Sequence, residues 1–137
     1  MATIIVPMVT QYEGVLEYNY TQNTTSIPGS TTFNVTFKMR RTSRGSVYSA
    51  TSRTGELILR IGSSSKTTAP SFNTSSIMNS PGSSITLGSH SFTMTHNTNG
   101  EFPPISIAVY FNTNSSFTGV ANHTEYNVTA PAIYSVA

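Results

Sequence analysis

Residues Ser91–Phe111 read SFTMTHNTNGEFPPISIAVYF, and their spacing decides the fold class. Phe92 and Met94 alternate with Ser91, Thr93 and Thr95, while Ile105, Ile107, Val109 and Phe111 alternate with Ser106, Ala108 and Tyr110. Successive side chains of an extended chain point to opposite faces, so each run is a strand with one apolar face. Between them lies Asn99-Gly100, a pair that accepts the positive φ of a tight turn, and the stretch is expected to form a β-hairpin.

The same period continues outward. Phe33, Val35, Phe37 and Met39 alternate with Asn34, Thr36, Lys38 and Arg40, giving a strand with a core face and a wet face. Leu16, Tyr18 and Tyr20 form a half-buried strand, Leu57, Leu59 and Ile61 another after Gly55, and Ile85 and Leu87 a short run. Further strands are expected around Tyr48 and at Tyr126 and Val128. Pro28-Gly29 and Pro81-Gly82 mark turns, with proline fixing one φ and glycine supplying the positive one. Gly62–Ser65 reads as a loop, and Thr67–Phe72 as an edge strand, because Pro70 has no N–H to give an interior ladder.

About eight short antiparallel strands, frequent turns and no helical period make the chain all-β, a two-sheet β-sandwich, with a closed barrel as the other architecture. The chain has 137 residues, which suits a single domain spanning 1–137. Only 9% of residues are charged, but the 36% that are hydrophobic fall at period two, which opposes disorder. Segment 1–12 is either an assembly arm or a first strand: Ile4, Ile5, Val6 and Met8 are apolar and no charge lies among them. No basic region precedes this run and Pro7 interrupts it, so it does not read as a signal peptide. No apolar run approaches the ~20 residues that span a bilayer, and no membrane partner is expected.

All seven basic residues, Lys38, Arg40, Arg41, Arg44, Arg53, Arg60 and Lys66, fall in one central stretch whose only acid is Glu56. Segregated charge makes a local field that steers an anionic partner, so these seven are the candidate anionic-partner surface. The plainer reading has them lining solvent faces and protecting sheet edges. Nucleic acid is not expected, since the stretch offers no helix for a groove and Tyr48 as its only aromatic.

Catalytic chemistry finds no support. Hydrolytic acid–base work needs paired carboxylates, and the chain has five scattered glutamates and no aspartate. Cysteine is absent, and His90, His96 and His123 have no adjacent carboxylate, so they read as surface or rim residues; no metal, cofactor or catalytic residue is assigned. Asn-X-Ser/Thr triplets at Asn19, Asn34, Asn122 and elsewhere follow from a sequence rich in these residues.

Thr93-Met94-Thr95-His96-Asn97-Thr98-Asn99-Gly100, then Ile105-Ser106-Ile107-Ala108-Val109, then Asn127-Val128-Thr129-Ala130-Pro131-Ala132-Ile133 carry a family resemblance. The segment from Phe92 to Ile133 resembles the repeated immunoglobulin-like domain of minor structural and tail-associated proteins of siphophages infecting Gram-positive bacteria, and Thr31–Arg41 looks like that family's first long strand. Pro103-Pro104 departs from the family's passage from turn to strand. The resemblance implies an immunoglobulin-like sandwich and a non-enzymatic virion protein on the tail or capsid surface, aiding host adhesion. Implied partners are other virion proteins, further copies of the chain in a homo-oligomer or multi-copy array, and bacterial surface polysaccharide or teichoic acid. The alternative is a carbohydrate-binding module for cell-wall glycans; the absence of tryptophan weighs against it and seven tyrosines weigh for it.

Overall fold

A computed structural model describes residues 2–7, 11–23, 29–44, 52–96, 105–113 and 121–128; for 7, 23, 52, 53, 113 and 121–128 it describes the backbone alone. Nine strands lie among them: β1 (Ala2–Pro7), β2 (Tyr12–Asn23), β3 (Ser30–Arg41), β4 (Ser52–Ile61), β5 (Ser64–Thr68), β6 (Ser71–Asn73), β7 (Ser84–Thr95), β8 (Ile105–Thr113) and β9 (Ala121–Val128). One 3-10 turn, Thr74–Ser76, follows β6, with the Asn73 side-chain oxygen accepting from the Ser75 N–H.

The strands form two antiparallel sheets. The first has the order β1-β2-β3-β7 and the second β5-β4-β8-β9, with β6 also paired to β4. Pairing of β3 with β7, and of β4 with β8 and β8 with β9, is the B–E and C–F–G pattern of an immunoglobulin-type Greek key, with β5 in the place of an added C′ strand. The fold is thus an all-β sandwich, and the two separate sheets exclude the closed barrel that the same alternation allows.

Between the sheets, every second residue of β3 is buried, from Thr31 through Phe33, Val35, Phe37 and Met39 to Arg41. From the second sheet Leu57, Leu59, Ile61, Ile107, Val109 and Phe111 meet them. Phe111 is the central contact, its ring 5.8 Å from that of Phe37 and 6.1 Å from that of Phe72. A Cβ on Gly14 of β2 would stand 2.6 Å from the Phe37 ring, so the absent side chain makes room for that phenylalanine.

Two expectations are corrected by the pairing. The hairpin read across Asn99-Gly100 does not form: β7 pairs with β3 and β8 with β4, so the two strands belong to opposite sheets. The turn residues lie outside the described residues, but the sequence holds a reason. Pro103-Pro104 supplies no N–H to a ladder that would have to start there, while each apolar face finds a long partner elsewhere. Gly62–Ser65 is not a loop: Gly62-Ser63 is the two-residue turn of a β4–β5 hairpin, with Ile61 opposite Ser64 and Gly62 at φ +58°, and Ser64 and Ser65 begin β5. Pro70 does interrupt an edge, splitting Thr67–Phe72 between β5 and β6; its carbonyl accepts from the Gly55 N–H at 3.1 Å.

A third feature is a register shift in β7. Phe37 faces Gly88 and Lys38 faces Thr86, leaving Leu87 as the extra residue of a bulge. The inward apolar positions accordingly change parity, from Ile85 and Leu87 to Phe92 and Met94, which an unbroken strand cannot do. Past the bulge, Gly88 lies against Leu57 so closely that a Cβ would come within 2.5 Å of its side chain. Here the edges of the two sheets are joined: Thr68 of β5 hydrogen-bonds His90 of β7, and the Lys66 ammonium donates to the Ser91 carbonyl.

The N-terminal segment is strand β1, in register with β2 from Ala2 opposite Tyr18 to Pro7 opposite Glu13. Val6 is fully buried and Ile4 packs against the core, whereas Ile5 on the other face is 44% exposed. Met8 lies outside the described residues, as do Tyr48, Asn99, Gly100 and the side chain of Val128. An arm free to anchor the chain elsewhere is inconsistent with this register, since removal would open the β2 edge and uncover Val6's side of the core.

Two outcomes follow. Val35→Asp places an unpaired charge at a fully buried position and is expected to cost several kcal/mol, on the order of 3–5, or abolish folding; circular dichroism through a thermal melt reads it. Deletion of residues 1–7 is expected to lower the melting temperature by more than about 5 °C, whereas an unchanged melt would restore the arm.

Candidate functional site

Chemistry has to be sought on the two outer faces, because the interior is apolar apart from its ends. On the outer face of the first sheet, cross-strand partners satisfy one another. Thr32 and Thr93 share a hydrogen bond of 2.9 Å between hydroxyls, as do Thr36 and Ser89. Asn34 donates to Asn19 at 3.1 Å and accepts from the Ser91 hydroxyl at 2.7 Å. Farther along, Glu17 pairs with Lys38 at 2.8 Å, and one Glu13 oxygen accepts from both Nε and Nη2 of Arg40 at 2.9 and 2.7 Å. These pairs follow from register, since Glu13 lies opposite Arg40 and Glu17 is two residues along the same face of β2 from Lys38's partner Val15, a diagonal neighbour.

The seven basic residues are therefore not assembled into one surface. Lys38 and Arg40 are neutralised on the first sheet's outer face, while Arg60 stands on the outer face of the second. Lys66 is at the seam between the sheets, 5.2 Å above the Phe92 ring, and Arg44 is exposed beyond the end of β3. The side chain of Arg53 is outside the described residues.

Arg41 departs furthest from the expected surface. It is 7% exposed because it falls on the inward parity of β3, two residues past Met39. Its Nε donates to the Met78 carbonyl at 2.8 Å, and Nη1 reaches the carbonyls of Gln11, Thr42 and Arg44 at 3.1, 2.8 and 2.9 Å. The guanidinium carbon lies 5.9 Å from the centre of the Tyr12 ring. One cation thus holds three chain segments at one end of the sandwich. Its role is structural, and parity along β3 was the signal that separates it from Arg40.

The sequence reads the histidines as surface or rim residues. His96 lies at the end of the sandwich but is buried rather than exposed, and it shares a 2.6 Å hydrogen bond with Thr31, closing the opposite end of β3. His90 faces the seam. The backbone of His123 belongs to β9. Among the described residues, no three His, Cys, Asp or Glu side chains converge on a metal-sized site.

The outer face of the second sheet differs from the first. A groove of about 350 Å³ is lined by Glu56, Ile58 and Arg60 of β4 and by Ala108, Val109 and Tyr110 of β8. Register explains its shape: Arg60 lies opposite Ala108, whose methyl group leaves a depression, while Ile58 lies opposite Tyr110 and forms a raised wall with it. On β9, Asn122 and Thr124 occupy the positions beside Tyr110 and Ala108. Among the described residues, the side chains of Glu56, Arg60 and Tyr110 take part in no ion pair or side-chain hydrogen bond, in contrast with the interlocked face opposite. The period-two reading had placed Tyr110 and Arg60 outside the core without signalling that the sheet pairing joins them.

Comparison with protein-family models, with characterised proteins and with solved structures gives no match.

Arg41→Met keeps the bulk of the side chain and leaves one buried and three part-buried carbonyls without their donor, so it is expected to destabilise the domain by about 2–4 kcal/mol in denaturant unfolding. Glu13→Gln, which loosens the half-exposed pair with Arg40, is expected to cost less than about 1 kcal/mol in the same measurement.

Proposed function

We propose that the chain is a non-enzymatic accessory module of a bacteriophage virion, displayed on the tail or capsid surface and aiding attachment to the host. The observation that carries the reading is where the residues of the family resemblance fall in the fold. Thr93–Thr95 ends the E-type strand β7 and His96 follows it, Ile105–Val109 begins the F-type strand β8, and Val128 ends the G-type strand β9, immediately before Thr129-Ala130-Pro131 in the sequence. These are consecutive strands of one Greek key, as a repeated immunoglobulin-like unit requires.

The outer faces support display. The first sheet presents hydroxyls, amides and neutralised charges, a surface that is polar yet weak in net field. No helix among the described residues is long and apolar enough to cross a membrane. The second reading, a carbohydrate-binding module, is favoured by one specific feature, the open groove beside Tyr110.

Particle fractionation separates these readings. Antibody against the purified protein is used to probe density-banded particles released by the host that carries this sequence. The virion reading expects the chain to band with intact particles and to be labelled on their surface by immunogold. Recovery of the chain wholly in the particle-free fraction, bound to isolated cell walls, would replace it with the carbohydrate-binding module.

A further inference from the structure

Resting on the adhesion reading, we propose that the groove on the outer face of β4 and β8 binds a segment of anionic glycan, with Arg60 contacting the anionic group and the Tyr110 ring supporting a sugar face. Three observations lead to this site. Glu56, Arg60 and Tyr110 are the groove's polar groups and, among the described residues, they engage no other side chain. By contrast, all four charged groups Glu13, Glu17, Lys38 and Arg40 on the opposite face are paired. The volume of about 350 Å³ lies at the small end of ligand sites, roughly 300–1,000 Å³, and the groove is open along the sheet rather than closed around a small molecule.

The occupant's chemistry follows from the order of groups along β4. Glu56 and Arg60 are four residues apart on one face, which separates their Cα atoms by roughly 13 Å. Arg60 offers a planar fork of donors suited to a carboxylate or a phosphate. Glu56 at the other end repels a second anion and accepts hydroxyl hydrogens instead. Between them stand Ile58 and Tyr110, an apolar wall and an aromatic ring on which the C–H face of a pyranose packs.

The site therefore selects a chain whose anionic groups are separated by hydroxyl-bearing neutral units. Single-stranded nucleic acid fits poorly, because its closely spaced phosphates would place one against Glu56. Uronate and phosphate supply the same contact to Arg60, and the probes below distinguish them.

The full chain is titrated by NMR with three probes: hyaluronan tetrasaccharide for uronate, ribitol-phosphate teichoic acid bearing N-acetylglucosamine substituents for phosphate, and chitotetraose as a neutral control. Shifts at Ile58, Arg60, Ala108 and Tyr110 are expected with at least one charged probe, and binding weaker by about tenfold or more with chitotetraose. Arg60→Gln is expected to reduce the charged-probe affinity about tenfold and leave chitotetraose unchanged. Tyr110→Ala is expected to weaken all three, and Tyr110→Phe to retain binding, which separates the ring from the hydroxyl. All variants must melt as the parent does, which their surface positions favour.

Preference for the uronate or the phosphate probe names the source of the anion. Binding by none of the probes, equal binding of charged and neutral probes, or charged-probe binding indifferent to Arg60→Gln would overturn the site. None of these results moves the chain out of banded particles, so loss of the site and loss of the virion reading are told apart.

Discussion

The structure depends on the register of β3. Six alternate residues, Thr31, Phe33, Val35, Phe37, Met39 and Arg41, are buried, and a slip of one residue would bring Lys38 and Arg40 into the core and Phe37 into water. Both neighbours are bound to that register, β2 through Glu13 and Arg40 and β7 through Thr32 and Thr93. The inward face is apolar in its middle and polar at each end. Thr31 and His96 close one end, and Arg41, surrounded by carbonyls from three segments, closes the other. Polar groups at the ends of an apolar stripe fix its position along the strand, because sliding by a full two-residue step would leave them buried without partners.

Much of this could be read from spacing. Alternation located most strand centres and identified the inward faces of β2, β3, β4 and β8, since a two-residue period is a local property of the chain. Partner choice is not local. The Asn-Gly pair between two alternating runs is a hairpin signal, and only Pro103-Pro104 spoke locally against it, yet the strands went to different sheets. Ile85 and Leu87 and then Phe92 and Met94 read as separate runs, whereas they belong to one strand whose parity changes at a bulge, and the use of that bulge, bringing Gly88 against Leu57 at the seam, depends on the packing of β4.

The charge-bearing residues divide in the same way. Clustering in sequence between Lys38 and Lys66 did not become clustering in space, because that segment passes from the first sheet to the second. Parity alone separated Arg41 from Arg40. That Glu13 and Glu17 would neutralise Arg40 and Lys38 required the β2–β3 register, as did the meeting of Arg60 with Ala108 and Tyr110 the β4–β8 register. What results is a domain with one outer face whose charges pair with one another and another on which, among the described residues, Glu56, Arg60 and Tyr110 engage no other side chain.

That division rests on β7 lying beside β3 and β8 beside β4. Cross-strand backbone contacts in a nuclear Overhauser spectrum of the isotope-labelled chain test it most directly. The account predicts inter-strand contacts linking Phe33 to Phe92 and Leu59 to Val109, with a discontinuity at Leu87. A continuous ladder of backbone contacts between Ser91–Thr95 and Ile105–Val109, closed through Asn99-Gly100, would contradict it and dissolve both outer faces as described.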